Sequence, residues 1–256
     1  MGWSGKVAMV AGVGNGLGSA LVERLASAGA TTIGVARGRE VLAKLEARAR
    51  ANGWKFTGKV ADLGRPSDVA ALFAAVTEEF GAIDALTVTA GHWVEGPTFL
   101  HEASDGQWST GLADNLDPLF YVCRAALPPM LARGRGSIVL VSATDRVRYA
   151  GTPSYCASKG AIVDLTEKLA RDYRAHGIRV NAVLPGTMEH EVDLDHPPSE
   201  STALPLSDRS GVGAWEVARA IVFLLSDDAR WISGARVRVD GGYSTHGKEQ
   251  RTAGIE

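Results

Sequence analysis

The sequence holds little of what would mark a disulfide-stapled, membrane-bound or nucleic-acid-binding protein. Its two cysteines, Cys123 and Cys156, have no metal-ligand spacing, which argues against a disulfide framework and fits a reducing compartment. No apolar run reaches membrane-spanning length, and strand-like sequence begins too early for a signal peptide. The net charge of −2 comes without a basic run, so neither nucleic acid nor an anionic membrane is an expected partner. We expect a cytoplasmic protein that uses no metal.

Short apolar runs alternate with longer helical patterns along the whole chain. The predicted strands are Val7–Val10, Thr31–Val35, Lys55–Val60, Ala85–Thr89, Ser137–Val141, Arg179–Leu184 and Arg236–Val239. The predicted helices are Gly16–Ala28, Arg39–Ala51, Pro66–Phe80, Gln107–Ala132, Pro153–His176 and Ala214–Leu225. Strands separated by helices form parallel βαβ units. We predict an α/β fold: one Rossmann-type, doubly wound parallel sheet of about seven strands with helices on both faces.

One domain accounts for the full length, residues 1–256. Two stretches lack helix or strand periodicity. Residues 187–213 are predicted to form an acidic lid over the substrate, and residues 243–256 a polar C-terminal tail. The acidic lid predicts a site that disfavours anionic substrates.

The first predicted strand runs directly into a glycine-rich turn and then a helix. The turn spans Gly12 to Gly18 and contains Asn15, Gly16 and Leu17. Glycine allows a ligand to approach the backbone closely, and the following helix offers free N–H groups and a partial positive charge. This pattern predicts a pyrophosphate-binding turn.

Tyr155 and Lys159 have the spacing that places two side chains on one face of a helix. A cation beside a phenol favours the phenolate and lowers the pKa of the tyrosine, which makes it a usable acid and base. Ser142 lies thirteen residues before the tyrosine and offers a hydroxyl for a substrate oxygen. The motif alone is weak, since a surface helix with an incidental Tyr/Lys pair looks the same.

Taken together, these motifs resemble the short-chain dehydrogenase/reductase family. The matching residues, in family order from about Lys6 to Gly242, are Gly12, Gly16, Gly18, Asp62, Ala90-Gly91, Asn115, Ser142, Tyr155, Lys159, Pro185-Gly186 and Asp240-Gly241-Gly242. The resemblance implies that Tyr155 exchanges a proton with the substrate oxygen while a nicotinamide cofactor carries the hydride. It also implies that Lys159 lowers the tyrosine pKa, that Ser142 polarises the carbonyl, and that Asn115 holds a proton-relay water.

The resemblance also implies a set of cofactor contacts. They are Gly12, Asn15, Gly16, Leu17, Gly18, Arg37, Asp62, Leu63, Ala90, Gly91, Tyr155, Lys159, Pro185, Gly186, Thr187 and Met188. The position that would carry an acidic residue to bind the ribose 2′-hydroxyl is Ala36, and Arg37 follows it. Since a guanidinium pairs well with a phosphate, we predict NADP(H), with NAD(H) as the alternative.

Three departures from the family pattern affect the site. Ala11 replaces a threonine and Val88-Thr89 replace two asparagines, which predicts altered bracing of the cofactor. The segment after the fifth predicted strand is also one residue short, so counting forward along the strand reaches Ala143 where counting back from Tyr155 reaches Ser142. Ser142 is the predicted hydroxyl; Thr144 is the alternative.

Three function classes remain open. The chain is predicted to be a carbonyl reductase or alcohol dehydrogenase for a small ketone or secondary alcohol. The alternatives are a 3-oxoacyl-acyl-carrier-protein reductase, for which Arg133, Arg135, Arg171 and Arg174 offer a basic docking patch, and a non-catalytic nucleotide sensor. By resemblance, and because Trp215–Leu225 is apolar on more than one side, we predict a homotetramer.

Overall fold

A computed structural model of the chain describes residues 2–188, 192, 194 and 211–245. Most of the predicted lid, residues 189–191, 193 and 195–210, and most of the predicted tail, residues 246–256, lie outside the described residues. Within the described part of the chain, no helix is long and apolar enough to cross a membrane.

The predicted α/β sheet is confirmed, with seven strands that all pair in parallel in the order β3-β2-β1-β4-β5-β6-β7. The strands are β1 (Val7–Ala11), β2 (Thr31–Ala36), β3 (Phe56–Val60), β4 (Ala85–Val88), β5 (Gly136–Val141), β6 (Ile178–Pro185) and β7 (Arg236–Val239). The helices are α1 (Leu17–Ser27), α2 (Arg39–Asn52), α3 (Pro66–Phe80), α4 (Asp105–Asn115), α5 (Asp117–Arg133), α6 (Asp145–Ala150), α7 (Pro153–Tyr173) and α8 (Ala214–Leu225).

Two hydrophobic layers enclose the sheet. Residues of α1, α2 and α8 build one layer, and residues of α3, α5 and α7 build the other. Side chains of each strand alternate between the two layers: Val139 and Val141 of β5 join the first, whereas Ile138 and Leu140 join the second. The strand order reverses between β1 and β4, so the ligand crevice is expected at the carboxyl ends of these strands.

The predicted helix Gln107–Ala132 is wrong as a single element, because the structure divides it into α4 and α5 at Leu116. The cause is Pro118, which has no N–H and therefore cannot continue the hydrogen bonds of α4 past this point. Pro118 instead occupies the first turn of α5, where proline is favourable. The break leaves Asn115 as the last residue of α4, with its side chain buried.

The apolar surface of α8 is buried within the chain itself. Val217, Ala218 and Ile221 are fully buried in the layer shared with α1. Among the apolar residues of this helix only Phe223 is exposed. The apolar residues on more than one side of this helix pack against α1, β5, β6 and β7, so the apolar pattern of α8 does not itself support the predicted homotetramer.

Candidate active site

The glycine-rich turn closes tightly over the end of β4. Gly12 has φ +113°, and a Cβ there would lie 2.5 Å from the main-chain nitrogen of Ala90, so only glycine fits. The turn ends at Gly16, the residue that precedes α1. A Cβ on Gly14 would meet no atom within 4 Å, so the turn leaves open space beside the helix N-terminus. These features fit a phosphate-binding turn.

Thr89 braces this turn, a role that sequence reasoning missed. Its hydroxyl donates to the carbonyl oxygen of Gly12 at 2.7 Å. The two asparagines of the family pattern are Val88 and Thr89 here. The hydroxyl of Thr89 links the end of β4 to the glycine-rich turn through this hydrogen bond. The available signal was the polar residue directly before Ala90-Gly91.

Gly91 brings Asn115 and Lys159 together at the carboxyl edge of the sheet. A Cβ on Gly91 would lie 2.7 Å from Asn115 Oδ1 and 3.1 Å from Lys159 Nζ, so these two polar atoms approach the same point. Asn115 Oδ1 also accepts the main-chain N–H of His92 at 3.0 Å, and its Nδ2 donates to the Gly111 carbonyl. Asn115 is thus fixed from both sides.

Tyr155 stands in the first turn of α7, enclosed by aromatic and backbone atoms. Its main-chain N–H donates to the Thr152 hydroxyl, which caps the helix. Its ring lies 5.0 Å from the Trp93 ring, measured between centres, at 55°. A Cβ on Gly151 would lie 2.8 Å from Tyr155 Cδ1. The Lys159 Nζ is 5.7 Å from the centre of the tyrosine ring, as the helical spacing predicts.

Burial dominates the protonation of this pair. It raises the pKa of Tyr155 to about 12 and lowers the pKa of Lys159 to about 8. Both shifts favour the uncharged form, because a charge enclosed by protein loses its hydration. The predicted lowering of the tyrosine pKa is therefore wrong for this arrangement. The two pKa values move apart, and the phenol of Tyr155 is protonated at neutral pH.

The hydroxyl of Ser142 is hydrogen-bonded to the backbone of α7. Ser142 Oγ donates to the main-chain carbonyl of Lys159 at 2.6 Å, and the residue is buried. A serine hydroxyl has one proton, so this bond leaves none for a carbonyl oxygen. The geometry does not support the predicted role of Ser142 as the carbonyl-polarising donor.

A second part of the crevice lies between the ends of β1, β2, β3 and β4. It is a cavity of about 430 Å³ whose lining includes Gly12, Arg37, Asp62, Leu63 and Gly91. Asp62 Oδ1 accepts the Gly64 N–H at 3.0 Å and shapes the loop after β3. Ala90 also lines this cavity, as does Gly14 of the glycine-rich turn. Four more predicted cofactor contacts follow Gly14 along the turn and into α1: Asn15, Gly16, Leu17 and Gly18.

Arg37, at the end of β2, has a guanidinium group that is not engaged in an ion pair with the described residues. Arg39, in contrast, binds Glu46 at 2.5 Å and also contacts the Gly58 carbonyl. Val35 and Ala36 precede Arg37 in the cavity wall, so no carboxylate occupies the position after the strand.

The end of β6 forms the other side of the crevice. Pro185 closes the strand, and the Gly186 N–H donates to the Val239 carbonyl at 3.1 Å. The Thr187 carbonyl accepts from Val212 at 2.8 Å, and Met188 packs against the core. Asn15 joins this side to the glycine-rich turn, because its carbonyl accepts the Val192 N–H at 3.0 Å.

The basic patch lies at the opposite edge of the sheet. Arg133 and Arg135 precede β5 and both bind Asp84, at 3.0 and 3.2 Å. Arg171 and Arg174 lie where α7 ends, before β6 begins. The four arginines therefore lie at the edge where the strands begin, which we call the amino edge. The length of β5, about 20 Å, separates this edge from Tyr155. Among the described residues there is also no cluster of three or more possible metal ligands.

Comparisons with known proteins agree with the family resemblance of the sequence motifs. The sequence pattern of the short chain dehydrogenase family matches residues 6–200. A 2-(R)-hydroxypropyl-CoM dehydrogenase of Xanthobacter autotrophicus is 36% identical, covering 93% of this chain and 98% of that protein. A 3-oxoacyl-acyl-carrier-protein reductase of Escherichia coli is 30% identical, covering 94% and 98%.

Solved structures share the fold. A gluconate 5-dehydrogenase from Burkholderia cenocepacia, in complex with NADP and tartrate, superposes with a TM-score of 0.81 at 29% identity, covering 95% of this chain and 97% of that one. The chain belongs to the short-chain dehydrogenase/reductase family. It is therefore an NAD(P)-dependent oxidoreductase, which removes the non-catalytic sensor from the alternatives.

Proposed function

We propose that the protein interconverts a ketone and a secondary alcohol with NADP(H) and that Tyr155 is its acid and base. The observation that supports this most is the convergence of Tyr155, Lys159, Asn115 and Gly91 at the carboxyl edge of the sheet. When bound, the nicotinamide supplies or accepts the hydride. The chain's own residues position the substrate and move the proton.

Tyr155 holds the proton that reduction requires. With its pKa raised to about 12 by burial, the phenol is protonated at neutral pH and can donate to the oxygen of a carbonyl that is being reduced. Lys159, whose pKa burial lowers to about 8, is mostly charged at neutral pH and stabilises the phenolate left behind. In oxidation the same groups act in reverse, and the phenolate removes the alcohol proton.

The residues fit a nicotinamide dinucleotide. The glycine-rich turn would hold the pyrophosphate, Asp62 and Leu63 the adenine, Arg37 the 2′-phosphate, and Lys159 the nicotinamide ribose. Two features support NADP(H): Arg37 makes no ion pair with the described part of the chain, and Ala36 is apolar. A guanidinium can bind a phosphate through two hydrogen bonds.

The cofactor proposal is tested with two arginine variants. Arg37→Ser is expected to raise the KM for NADPH at least about tenfold and to leave the KM for NADH within about twofold, because one charge-assisted contact is removed. Arg39→Ala is the matched control, because its guanidinium is already held by Glu46, and it should leave both values near the wild type. An unmutated enzyme with equal or better kcat/KM for NADH would contradict the proposal.

The wall beside Tyr155 supports an uncharged substrate. Trp93 lies against the tyrosine ring and remains 42% exposed, which offers an apolar surface next to the reacting oxygen. Next to Trp93 in the sequence, His92 donates its main-chain N–H to Asn115 Oδ1. Phe99, six residues after Trp93, is largely exposed. The similarity to a dehydrogenase named for a hydroxypropyl compound also supports a secondary alcohol.

A substrate screen tests the proposed reaction. NADPH consumption is followed with a panel of small ketones and, separately, with 3-oxoacyl thioesters of a carrier protein. We expect turnover with the ketones. Preference for the carrier-bound substrates would favour the alternative of a 3-oxoacyl-acyl-carrier-protein reductase. The basic patch argues against that alternative, because it lies at the amino edge of the sheet, far from Tyr155.

A further inference from the structure

Two hydroxyl side chains follow β5, and their surroundings differ. Ser142 donates its proton to the Lys159 carbonyl at 2.6 Å. Thr144 is fully buried, and its Oγ1 has no hydrogen-bond partner among the described residues. Thr144 also precedes α6 as its N-cap without using its side chain as a cap. A buried hydroxyl without a partner is rare in folded proteins and calls for an explanation.

The main chain shows which way Thr144 faces. The Ser142 N–H donates to the Val183 carbonyl at 3.0 Å, and the Thr144 N–H donates to the Pro185 carbonyl at 2.9 Å. The β5–β6 ladder thus continues past the assigned end of β5, and Thr144 itself is extended, with φ −62° and ψ 157°. Residues two apart on an extended strand share a face.

That face is the one covered by α7. Ile138 and Leu140 have the same alternation and lie in the layer that contains residues of α7. The hydroxyl of Ser142 reaches the backbone of α7 directly. Ala143, at the position reached by counting forward along the strand, has the opposite alternation and faces the layer of Val139 and Val141.

The directions of β5 and α7 indicate where Thr144 lies relative to Tyr155 along this face. Helix α7 leads into β6, which is parallel to β5, so the helix runs opposite to the strand and begins at the carboxyl edge. From Ser142 to Thr144 the strand advances about 6.6 Å toward that edge. From Lys159 back to Tyr155 the helix covers about 6 Å in the same direction. Because Ser142 contacts Lys159, Thr144 arrives opposite Tyr155.

We propose that Thr144, and not Ser142, donates the hydrogen bond that polarises the substrate carbonyl. The carbonyl oxygen supplies the partner that the buried Thr144 hydroxyl lacks. Ser142 is then a positioning residue that fastens the end of β5 to α7 at Lys159. This inference rests on the proposed ketone reduction, since it names a second donor to the oxygen that Tyr155 protonates.

Three variants test the assignment, with the ketone that the screen identifies as the best substrate. Thr144→Val keeps the shape of the side chain and removes its hydroxyl. We expect kcat/KM to fall about 100-fold, mainly through a lower kcat, because a loss of this size is seen when one preorganised hydrogen-bond donor is removed. Thr144→Ser should recover most of this loss. Ser142→Ala should lose less than about tenfold, because only an indirect contact is removed. Cofactor dissociation constants and thermal unfolding are measured for each.

Several results would contradict the assignment of Thr144 as the hydrogen-bond donor. Wild-type kcat in Thr144→Val, or an equal loss in Thr144→Val and Ser142→Ala, overturns the assignment. If Thr144→Val does not fold, Ser142→Ala decides: a loss within tenfold keeps the proposal, and a loss of about 100-fold overturns it. Tyr155→Phe is measured beside them. If that variant stays active, the proposed acid–base function fails, whatever the hydroxyl variants show.

Discussion

Lys159 is a charge enclosed by the protein, and this has a cost for folding. Burial lowers its pKa from 10.5 to about 8, so at neutral pH the folded chain holds a buried ammonium. The cost is fully present below about pH 8. Between pH 8 and 10.5 the unfolded chain binds a proton that the folded chain has released, so stability rises with pH.

Replacing this lysine should therefore stabilise the fold while it abolishes turnover. Lys159→Met is expected to raise the free energy of unfolding by about 2–3 kcal/mol at pH 7, with a smaller gain at pH 9.5. Lys168→Met, on the exposed side of α7, is the control and should change stability by less than about 0.5 kcal/mol. Urea unfolding at both pH values measures the difference. A loss of stability in Lys159→Met would contradict the burial argument.

The sequence predicts which residues form the site better than it predicts where their side chains point or how their pKa values shift. The spacing of Tyr155 and Lys159 is sufficient to predict that they share one face of a helix, and the family resemblance adds Asn115 to their site. Spacing is not sufficient for Ser142, since the face of the strand on which its hydroxyl lies depends on the hydrogen-bond ladder with β6. The sign of the Tyr155 shift also depends on burial by Trp93 and Gly151, which no spacing reveals.

At the scale of elements, the turn between α6 and α7 sets the position of the tyrosine. Gly151 lies in this turn with φ −87°, a conformation open to any residue, so its glycine is required by space alone. A Cβ there would approach Tyr155 Cδ1 to 2.8 Å and the Trp93 ring to 3.3 Å. An added methyl group must therefore move the tyrosine ring or the tryptophan.

We expect Gly151→Ala to lower kcat at least about tenfold, because a displacement of about 1 Å in a reacting group is costly. Cofactor affinity and the melting temperature should change little. Gly213→Ala is the matched control, since a Cβ at Gly213 meets no atom within 4 Å, and its kcat should stay near the wild type. Steady-state kinetics of the two variants provide the comparison, and an unchanged kcat in Gly151→Ala would refute the steric argument.

The sequence predicts the elements well where they are long and periodic. All seven strands and the helices α1, α2, α3, α7 and α8 lie within a few residues of their predicted bounds. Helix α6 is missed because six residues are too few to show a period. The division of α4 from α5 is missed because the helical pattern continues across Pro118, which is favourable in the first turn of a helix.

At the scale of the whole molecule, the prediction of a homotetramer still stands to be measured. Within the described chain, the exposed apolar side chains include Phe223 on α8. Among the described strands, β7 pairs with β6 alone, and it carries Arg236 and Arg238, which form ion pairs with α7 and α6. Charges on an edge strand oppose open-ended pairing, so assembly is expected to use the helix surface around Phe223.

Light scattering at micromolar protein should give four times the mass of one chain. Phe223→Glu is expected to reduce this mass, since it places a charge in the contact. Val60→Glu changes another exposed apolar side chain, at the far end of the sheet, and should leave the mass unchanged. A wild-type monomer would contradict the prediction.

The proton transfer by Tyr155 is the central claim, and one variant tests it most directly. Tyr155→Phe keeps the ring that packs against Trp93 and removes only the phenol oxygen. With the best ketone and NADPH, we expect kcat to fall about 10²- to 10⁴-fold, the usual contribution of a positioned acid, with the cofactor dissociation constant within about twofold. A Tyr155→Phe enzyme that turns over near the wild-type rate would contradict the account.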